Sequence, residues 1–189
     1  MEPMAHYFYA VKIPDETKTV MKEHMERLKR SLPFSRWVHH QDIHITLAFL
    51  GYAEQEQLVA AHKNVEIALR DEKAFPLKIN KLGVFGKSDR PRVFWADAEY
   101  SPELHQLRKK VFSACEQADF NLETRPYRPH ITLARKWQGE EPCHLNLLDI
   151  WHQLQPEPLP FLAKEAVLYR TNLQETPKYQ VIHSYPLQT

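Results

Sequence analysis

The chain has 189 residues, of which 43% are hydrophobic and 26% charged, close to the average usage of globular proteins. This length suits one domain of ordinary size or two small lobes that share an interface. Its 25 Lys and Arg residues against 24 Asp and Glu residues give a formal charge of +1, without the strong basic excess typical of proteins that coat long nucleic acids.

The first half of the chain alternates strand and helix patterns. Residues 6–13 read HYFYAVKI, and this aromatic and β-branched run predicts a buried strand. Pro14 and Asp15 then open a predicted helix with one apolar stripe, which ends at Pro33. A second strand is predicted at residues 43–50, ended by Gly51, and a second helix at residues 54–70.

The second half continues in mixed order. Strands are predicted at residues 75–84 and 92–98, on either side of a turn-rich GKSDRP segment. Ser101 and Pro102 form an N-cap and first-turn pair for a third helix. A strand at residues 130–133, a short helix at 144–154 and strands at 162–169 and 178–185 follow. Interleaving of this kind favours an α+β fold of antiparallel sheets with helices on their outer faces.

One pentapeptide, HITLA, occurs twice, at residues 44–48 and 130–134, a spacing of 86 residues. In each case a predicted helix lies upstream and another lies downstream. Internal repetition of this kind suggests two pseudo-equivalent lobes, each carrying one copy.

Each copy of the repeat brings an imidazole and a hydroxyl to the same side of a strand. Side chains alternate along a strand, so His44 and Thr46 point to one face and their apolar neighbours to the other, and likewise His130 and Thr132. If the two strands lie side by side, one neutral histidine can take a proton from water while the other, as imidazolium, protonates a leaving oxygen. The hydroxyls can donate to phosphate oxygens. A single His-x-Thr is usually structural, but two identical copies favour a phosphodiester site.

Arg135 lies five residues after His130, nominally on the opposite face of the strand. If the strand ends or bulges near Ala134, the guanidinium can turn toward a phosphate, which it binds well in a bidentate manner. The structural alternative is an exposed basic residue beside Lys136.

These motifs resemble the two-histidine phosphoesterase superfamily, in particular its RNA 2′,3′-cyclic phosphodiesterase branch, also known as 2′-5′ RNA ligases. The similarity rests on HITLAFLG at residues 44–51 and PHITLAR at residues 129–135. The opening FYAVKIP, the central PRVFW and the closing YQVIHSYPL are also similar to segments of the family. The resemblance therefore extends over nearly the whole chain.

The resemblance implies a bilobal, pseudo-symmetric fold in which two antiparallel sheets face a central cleft, with residues 1–189 forming a single domain of two intertwined lobes. It implies that His44 is the general acid that expels the 3′ oxygen and that His130 is the general base that activates water. Thr46, Thr132 and Arg135 would bind the phosphate. The implied substrates are RNA ends or nucleotides with a cyclic phosphate, the product is a 2′-phosphate, and no metal or other cofactor takes part.

Three alternatives remain open at this point. Eleven histidines invite a metal hydrolase, but the adjacent His39 and His40 would point in opposite directions on a strand, and no H-E-x-x-H motif is present. A binding module could hold an RNA end without turning it over. The same chemistry could also act on ADP-ribose 1″,2″-cyclic phosphate or 2′-5′-linked oligonucleotides, with 2′-5′ RNA ligation as a side reaction.

Trp95 and Phe94 could stack a base, although packing in the core is the simpler expectation for each.

The sequence also predicts where the protein works. No apolar run approaches the roughly 20 residues needed to span a bilayer, and the first residues lack the pattern of a signal peptide. Cys115 and Cys143 are too few for a disulfide framework. We therefore expect a cytoplasmic monomer.

Overall fold

The computed structural model describes residues 5–143 and 146–189. Within them the strands, in chain order, are β1 His6–Lys12, β2 Phe34–Trp37, β3 His44–Tyr52, β4 Phe75–Ile79, β5 Leu82–Gly86, β6 Pro91–Asp97, β7 His130–Trp137, β8 Leu159–Ala163, β9 Glu165–Thr171 and β10 Tyr179–Pro186. The helices are α1 Asp15–Ser31, α2 Gln55–Leu69, α3 Pro102–Glu116 and α4 Leu147–Leu154. None of these helices is long and apolar enough to cross a membrane.

The strands form two four-stranded sheets and one two-stranded sheet. The first sheet has the order β10-β9-β1-β3, the second has the order β2-β7-β6-β5, and β4 pairs with β8. Neighbouring strands are antiparallel in all three sheets. The α+β class is thus confirmed, and each HITLA copy begins a strand of a different sheet. The pseudo-symmetric, two-lobed arrangement around a cleft stays a prediction.

The apolar residues of both repeats anchor their strands in one continuous core. Ile45, Leu47, Ile131 and Leu133 are each at most 2% exposed and belong to the same cluster of buried side chains. Burial of such a side chain contributes roughly 1.5–3 kcal/mol relative to exposure. This core therefore holds both strands firmly, with the histidines on the opposite face from these anchors.

Both repeats contain the same β-bulge. Opposite β1, the pairing of β3 passes from Thr46 directly to Ala48, so Leu47 is the extra residue. Opposite β6, the pairing of β7 passes from Thr132 directly to Ala134, so Leu133 is the extra residue. Such a residue shifts the alternation of side chains by one position. The burial sequences of the two strands accordingly agree over their first six residues.

The bulge corrects the nominal placement of Arg135 on the opposite face. Beyond Leu133 the alternation is displaced, so Arg135 shares the face of His130 and Thr132, as expected for a strand that bulges near Ala134. At the equivalent position after the other repeat stands Phe49, which is 57% exposed. The fold therefore places a cation on the same strand face as one histidine and an aromatic ring on the same strand face as the other.

Most predicted elements are present, with several changes of boundary. The strands predicted to end at Gly51 and Leu133 continue to Tyr52 and Trp137, and the strand β2 was not predicted. The predicted helix at 144–154 begins at Leu147, and its residues 144–145 lie outside the described residues.

Two predicted single strands are each two strands in different sheets. Residues 75–84 break at Asn80 because the Asp97 carboxylate accepts the backbone N–H groups of Asn80 and Lys81, at 2.7 and 3.0 Å. Residues 162–169 break at Lys164, so that β8 pairs with β4 and β9 pairs with β1. The hydrophobic pattern is continuous across both breaks and could not reveal them.

Candidate active site

His44 is held at the start of β3 by hydrogen bonds on both ring nitrogens. Its Nδ1 lies 2.7 Å from the backbone carbonyl of Asp42, and its Nε2 lies 3.1 Å from the hydroxyl of Thr46. A carbonyl can only accept, so Nδ1 carries the proton, and Nε2 is the nitrogen left for chemistry in the neutral ring.

His130 is held in the same way. Its Nδ1 lies 2.7 Å from the carbonyl of Arg128, again the residue two positions earlier. The two histidines therefore adopt the same tautomer and present the same nitrogen, Nε2, although they belong to different sheets. The two copies of the repeat are thus alike in the hydrogen bonding of their histidines as well as in sequence.

Aromatic side chains surround His44. The ring centroids of Phe8 and Tyr179 lie 4.7 and 5.2 Å from that of His44, and Tyr169 lies 6.0 Å away. Phe8 and Tyr169 belong to a second buried apolar cluster of the first sheet, against which Tyr179 packs. This apolar setting weakens solvation of a charged imidazole.

His130 has a comparable but more open setting. Phe85 lies edge-on at 4.9 Å and Trp95 lies at 6.4 Å, measured between ring centroids. Trp95 pairs with Thr132 on the same face of the sheet and is only partly buried, which corrects the expectation that it packs in the core. Phe94, by contrast, is fully buried as expected.

The structure brings the two repeats to one cavity. Thr46 and His130 both line a cavity of about 580 Å³. Tyr127, just before β7, donates its hydroxyl hydrogen to the backbone carbonyl of Thr46 at 2.7 Å. This bond ties the segment that carries His130 to the strand that carries His44. His44 itself is not among the residues that line the cavity, nor are Thr132 and Arg135, although the latter two share the face of His130.

Both histidines favour the neutral form. Burial lowers the pKa of His44 to about 4, against the hydrogen bond to the Asp42 carbonyl, which raises it, while the charge of His130 lowers it further. Burial also lowers the pKa of His130, with an upward effect of the Arg128 carbonyl and a downward effect of the Arg135 charge. A charge on His130 thus affects the pKa of His44, and the charge of Arg135 affects the pKa of His130.

Asp42 and Tyr127 are parts of the site that the sequence did not reveal. The Asp42 carboxylate is 4% exposed and accepts the backbone N–H groups of Lys178 and Tyr179, each at 3.1 Å. It thereby holds the start of β10, and with it the Tyr179 ring, over His44. The partners of Asp42 lie more than 130 residues away in the sequence, and no local pattern signals such a bond.

His39 and His40 precede the first repeat and bear on the alternative of a metal site. His39 and His40 are not on a strand, and their rings lie side by side with centroids 4.4 Å apart, so the expectation that they point in opposite directions is wrong. In residues 5–143 and 146–189, no three His, Cys, Asp or Glu side chains are grouped as a metal ion would need.

The chain is similar to a known protein family and to several of its members. A family model described as the 2′-5′ RNA ligase superfamily matches residues 17–175. The chain is 39% identical to the RNA 2′,3′-cyclic phosphodiesterase of Geobacillus stearothermophilus across 97% of its own length, but it spans only 57% of that relative. It is 33% identical to the protein of the same name from Bacillus subtilis strain 168, with 96% of each chain covered.

Solved structures show the same fold. A protein from Thermus thermophilus superposes with a TM-score of 0.77 at 24% identity, covering 97% of this chain and 98% of its own. E. coli LigT complexed with 3′-AMP superposes with a TM-score of 0.75 at 22% identity, covering 99% of this chain and 100% of its own.

The role of Asp42 is tested by Asp42→Asn. The amide offers one acceptor oxygen instead of two, so one buried backbone N–H loses its partner, at a cost of about 1–3 kcal/mol in the free energy of unfolding. Urea denaturation measures this loss. Glu175→Gln, which removes an exposed carboxylate from the loop before β10, is the matched control and should leave the midpoint unchanged. Equal midpoints for Asp42→Asn and the wild type would contradict the role assigned to this carboxylate.

Proposed function

The chain belongs to the 2′-5′ RNA ligase superfamily, and from this premise we propose that it is an RNA 2′,3′-cyclic phosphodiesterase that opens a terminal cyclic phosphate to a 2′-phosphate. The observation that carries the proposal is the matched pair of histidines, each fixed through Nδ1 to the carbonyl two residues earlier. The names of the curated relatives support the same activity.

In the proposed reaction, His130 Nε2 accepts a proton from water as the water oxygen forms a bond to phosphorus. The bond between phosphorus and the 3′ oxygen breaks, and His44 Nε2 delivers a proton to that oxygen. The 2′ ester bond remains, so the product is a 2′-phosphate. Because Nδ1 of each ring is engaged by a carbonyl, each Nε2 is oriented before substrate arrives, which reduces the reorganisation needed in the transition state.

Protonation of His44 depends on the substrate. Burial keeps the pKa of His44 at about 4 in the free protein, so the acid form is scarce near neutral pH. The phosphate brings a negative charge next to both rings, and an opposite charge within a few ångströms stabilises an imidazolium. The same low-dielectric setting that opposes the charge in the free protein therefore strengthens its attraction to the bound phosphate.

The phosphate is proposed to be held by Thr46, Thr132 and Arg135. Thr46 already lies at hydrogen-bond distance from His44 Nε2, and Thr132 occupies the equivalent position beside His130. Arg135 follows the bulge onto the same face and is exposed. We propose that the protein acts as a cytoplasmic monomer, as a single domain of two lobes, and without a metal or other cofactor.

The acid and base roles are tested by removing each imidazole in the presence of EDTA. His44→Ala and His130→Ala should each reduce hydrolysis of a cyclic-phosphate RNA end by roughly 10²–10⁴-fold, the range for general acid–base catalysis. The double variant should be little worse than either single one, since groups that act as a unit are not additive. His152→Ala, on the exposed face of α4, is the control.

A substrate with a better leaving group separates the two roles. It should rescue the His44 variant selectively, because only the proton donor becomes dispensable. Rescue of the His130 variant instead would exchange the two assignments, and near-normal turnover by both single variants would exclude the proposed enzyme. Activity lost in EDTA and restored by zinc would indicate a metal hydrolase.

The pH dependence follows from the lowered pKa values. Activity needs one histidine charged and the other neutral, and burial lowers both pKa values. The pH profile of kcat/KM, which reports the free protein, should therefore be a bell with an acid limb near pH 4 and an alkaline limb below about 6.5, the ordinary histidine value. The profile of kcat should lie at higher pH, because bound phosphate stabilises the imidazolium. An alkaline limb of kcat/KM well above about pH 7 would contradict this expectation.

Arg135→Lys tests the phosphate clamp. The variant keeps the charge but loses the planar, bidentate donor pair, so kcat/KM should fall by about 10-fold or more. The control is Lys136→Asn, which removes the adjacent exposed charge and suits the left-handed backbone at that position, where φ is 59°. Wild-type turnover by Arg135→Lys would reduce Arg135 to a surface residue.

A further inference from the structure

The cavity lined by Thr46 and His130 extends well beyond these two residues. Its volume of about 580 Å³ lies within the range of roughly 300–1,000 Å³ that holds whole organic ligands. Four arginines line it, Arg92, Arg108, Arg125 and Arg128, against one carboxylate, Glu123. Only Arg125 is paired with that carboxylate, at 2.8 Å, among the ion pairs of the described residues. In a chain with a formal charge of +1, this is a local concentration of positive charge, and it favours an anionic ligand.

Arg108 contacts two aromatic rings in this cavity. Its guanidinium carbon lies 4.0 Å from the centre of the Phe112 ring and 5.2 Å from that of Tyr127. Tyr127 is in turn bonded to the carbonyl of Thr46. The guanidinium therefore contacts two aromatic rings, one of which is hydrogen-bonded directly to the first repeat.

The hydrogen-bonding groups of Arg108 lack protein partners within the described part of the chain. Its Nε atom is buried and makes no hydrogen bond, and no carboxylate among the described residues forms an ion pair with it. Buried polar atoms are nearly always hydrogen-bonded, so a ligand that accepts a hydrogen bond here would satisfy a donor that the protein leaves unpaired. A planar cation with its donors free is suited to a phosphate.

Phe49 adds an aromatic wall to the same cavity. Its ring is 57% exposed although it lies on a well-packed strand. It occupies the position that Arg135 occupies after the second repeat, so the two repeats differ at this residue in chemical character. An exposed ring beside a cationic cavity is the arrangement on which nucleobases stack.

We propose that this cavity binds the nucleotide that precedes the reacting end of an RNA strand, with Arg108 contacting its phosphodiester and Phe49 stacking a base. The inference rests on the proposed function and adds a specificity to it: the protein selects ends of oligonucleotides over cyclic mononucleotides. Arg108 is thus a specificity-determining residue that contacts a phosphate other than the one that reacts.

The test compares two substrates that differ by one phosphodiester. These are cytidine 2′,3′-cyclic phosphate and a dinucleotide that ends in the same cyclic cytidine. The ratio of their kcat/KM values should favour the dinucleotide in the wild type and should fall by about 10- to 100-fold in Arg108→Met, the effect of losing one charged hydrogen-bonded contact. Lys109→Met, which removes the same charge from the next residue of α3, outside the cavity, should leave the ratio unchanged.

Two further readouts distinguish binding from a structural role. The slope of log kcat/KM against log salt for the dinucleotide should be shallower by about 0.7 in Arg108→Met, as expected when one phosphate contact of a single strand is lost. Arg108→Lys, which keeps the charge, should show an intermediate ratio, and it decides the matter if thermal unfolding shows that Arg108→Met is not folded.

An unchanged ratio, or an equal loss on both substrates without a change in salt slope, would overturn the inference while leaving the proposed function in place. Turnover of neither substrate by the wild type would overturn both.

Discussion

The site depends on a conflict that each strand has to resolve. A strand that exposes His and Thr on one face must bury Ile and Leu on the other, and strict alternation would then send the following Arg135 or Phe49 into the core face. The extra residue at Leu47 and Leu133 removes the conflict, since Leu and the following Ala are both buried and the next side chain returns to the face of the histidine. The same bulge thus anchors each strand in the core and places His, Thr and the side chain after the repeat on one face.

Electrostatics couples the two halves of the site. Each imidazole is placed where burial disfavours its charge, a charge on His130 disfavours that of His44, and the charge of Arg135 disfavours that of His130. Such an arrangement is unfavourable for an empty site and favourable for one that holds an anion, because the bound charge offsets the repulsion among the cations. The low pKa of His44 and its proposed role as an acid are therefore compatible only when the substrate is bound, and in the proposed reaction the phosphate forms part of the catalytic machinery.

The sequence was sufficient for the α+β class, for most elements and for the approach of the two repeats to one cavity, because the repeat encodes both the strand alternation and the chemistry. It was insufficient where the outcome depends on long-range contacts. The breaks at Asn80 and Lys164 follow from pairing with distant strands, and the Asp42 carboxylate meets β10 across most of the chain. His39 lies beside His40 because these residues are in a short 3-10 helical turn, where the alternation of a strand does not apply.

The central claim is that both histidines bind one phosphate. It is tested most directly by following the imidazole nitrogen signals by NMR during titration with inorganic phosphate at constant pH. We expect the signals of His44 and His130 to change along a single saturation curve with one phosphate per chain. We also expect the pKa of at least one imidazole to rise in the complex. A response of only one histidine, or two independent curves with different midpoints, would contradict a shared site.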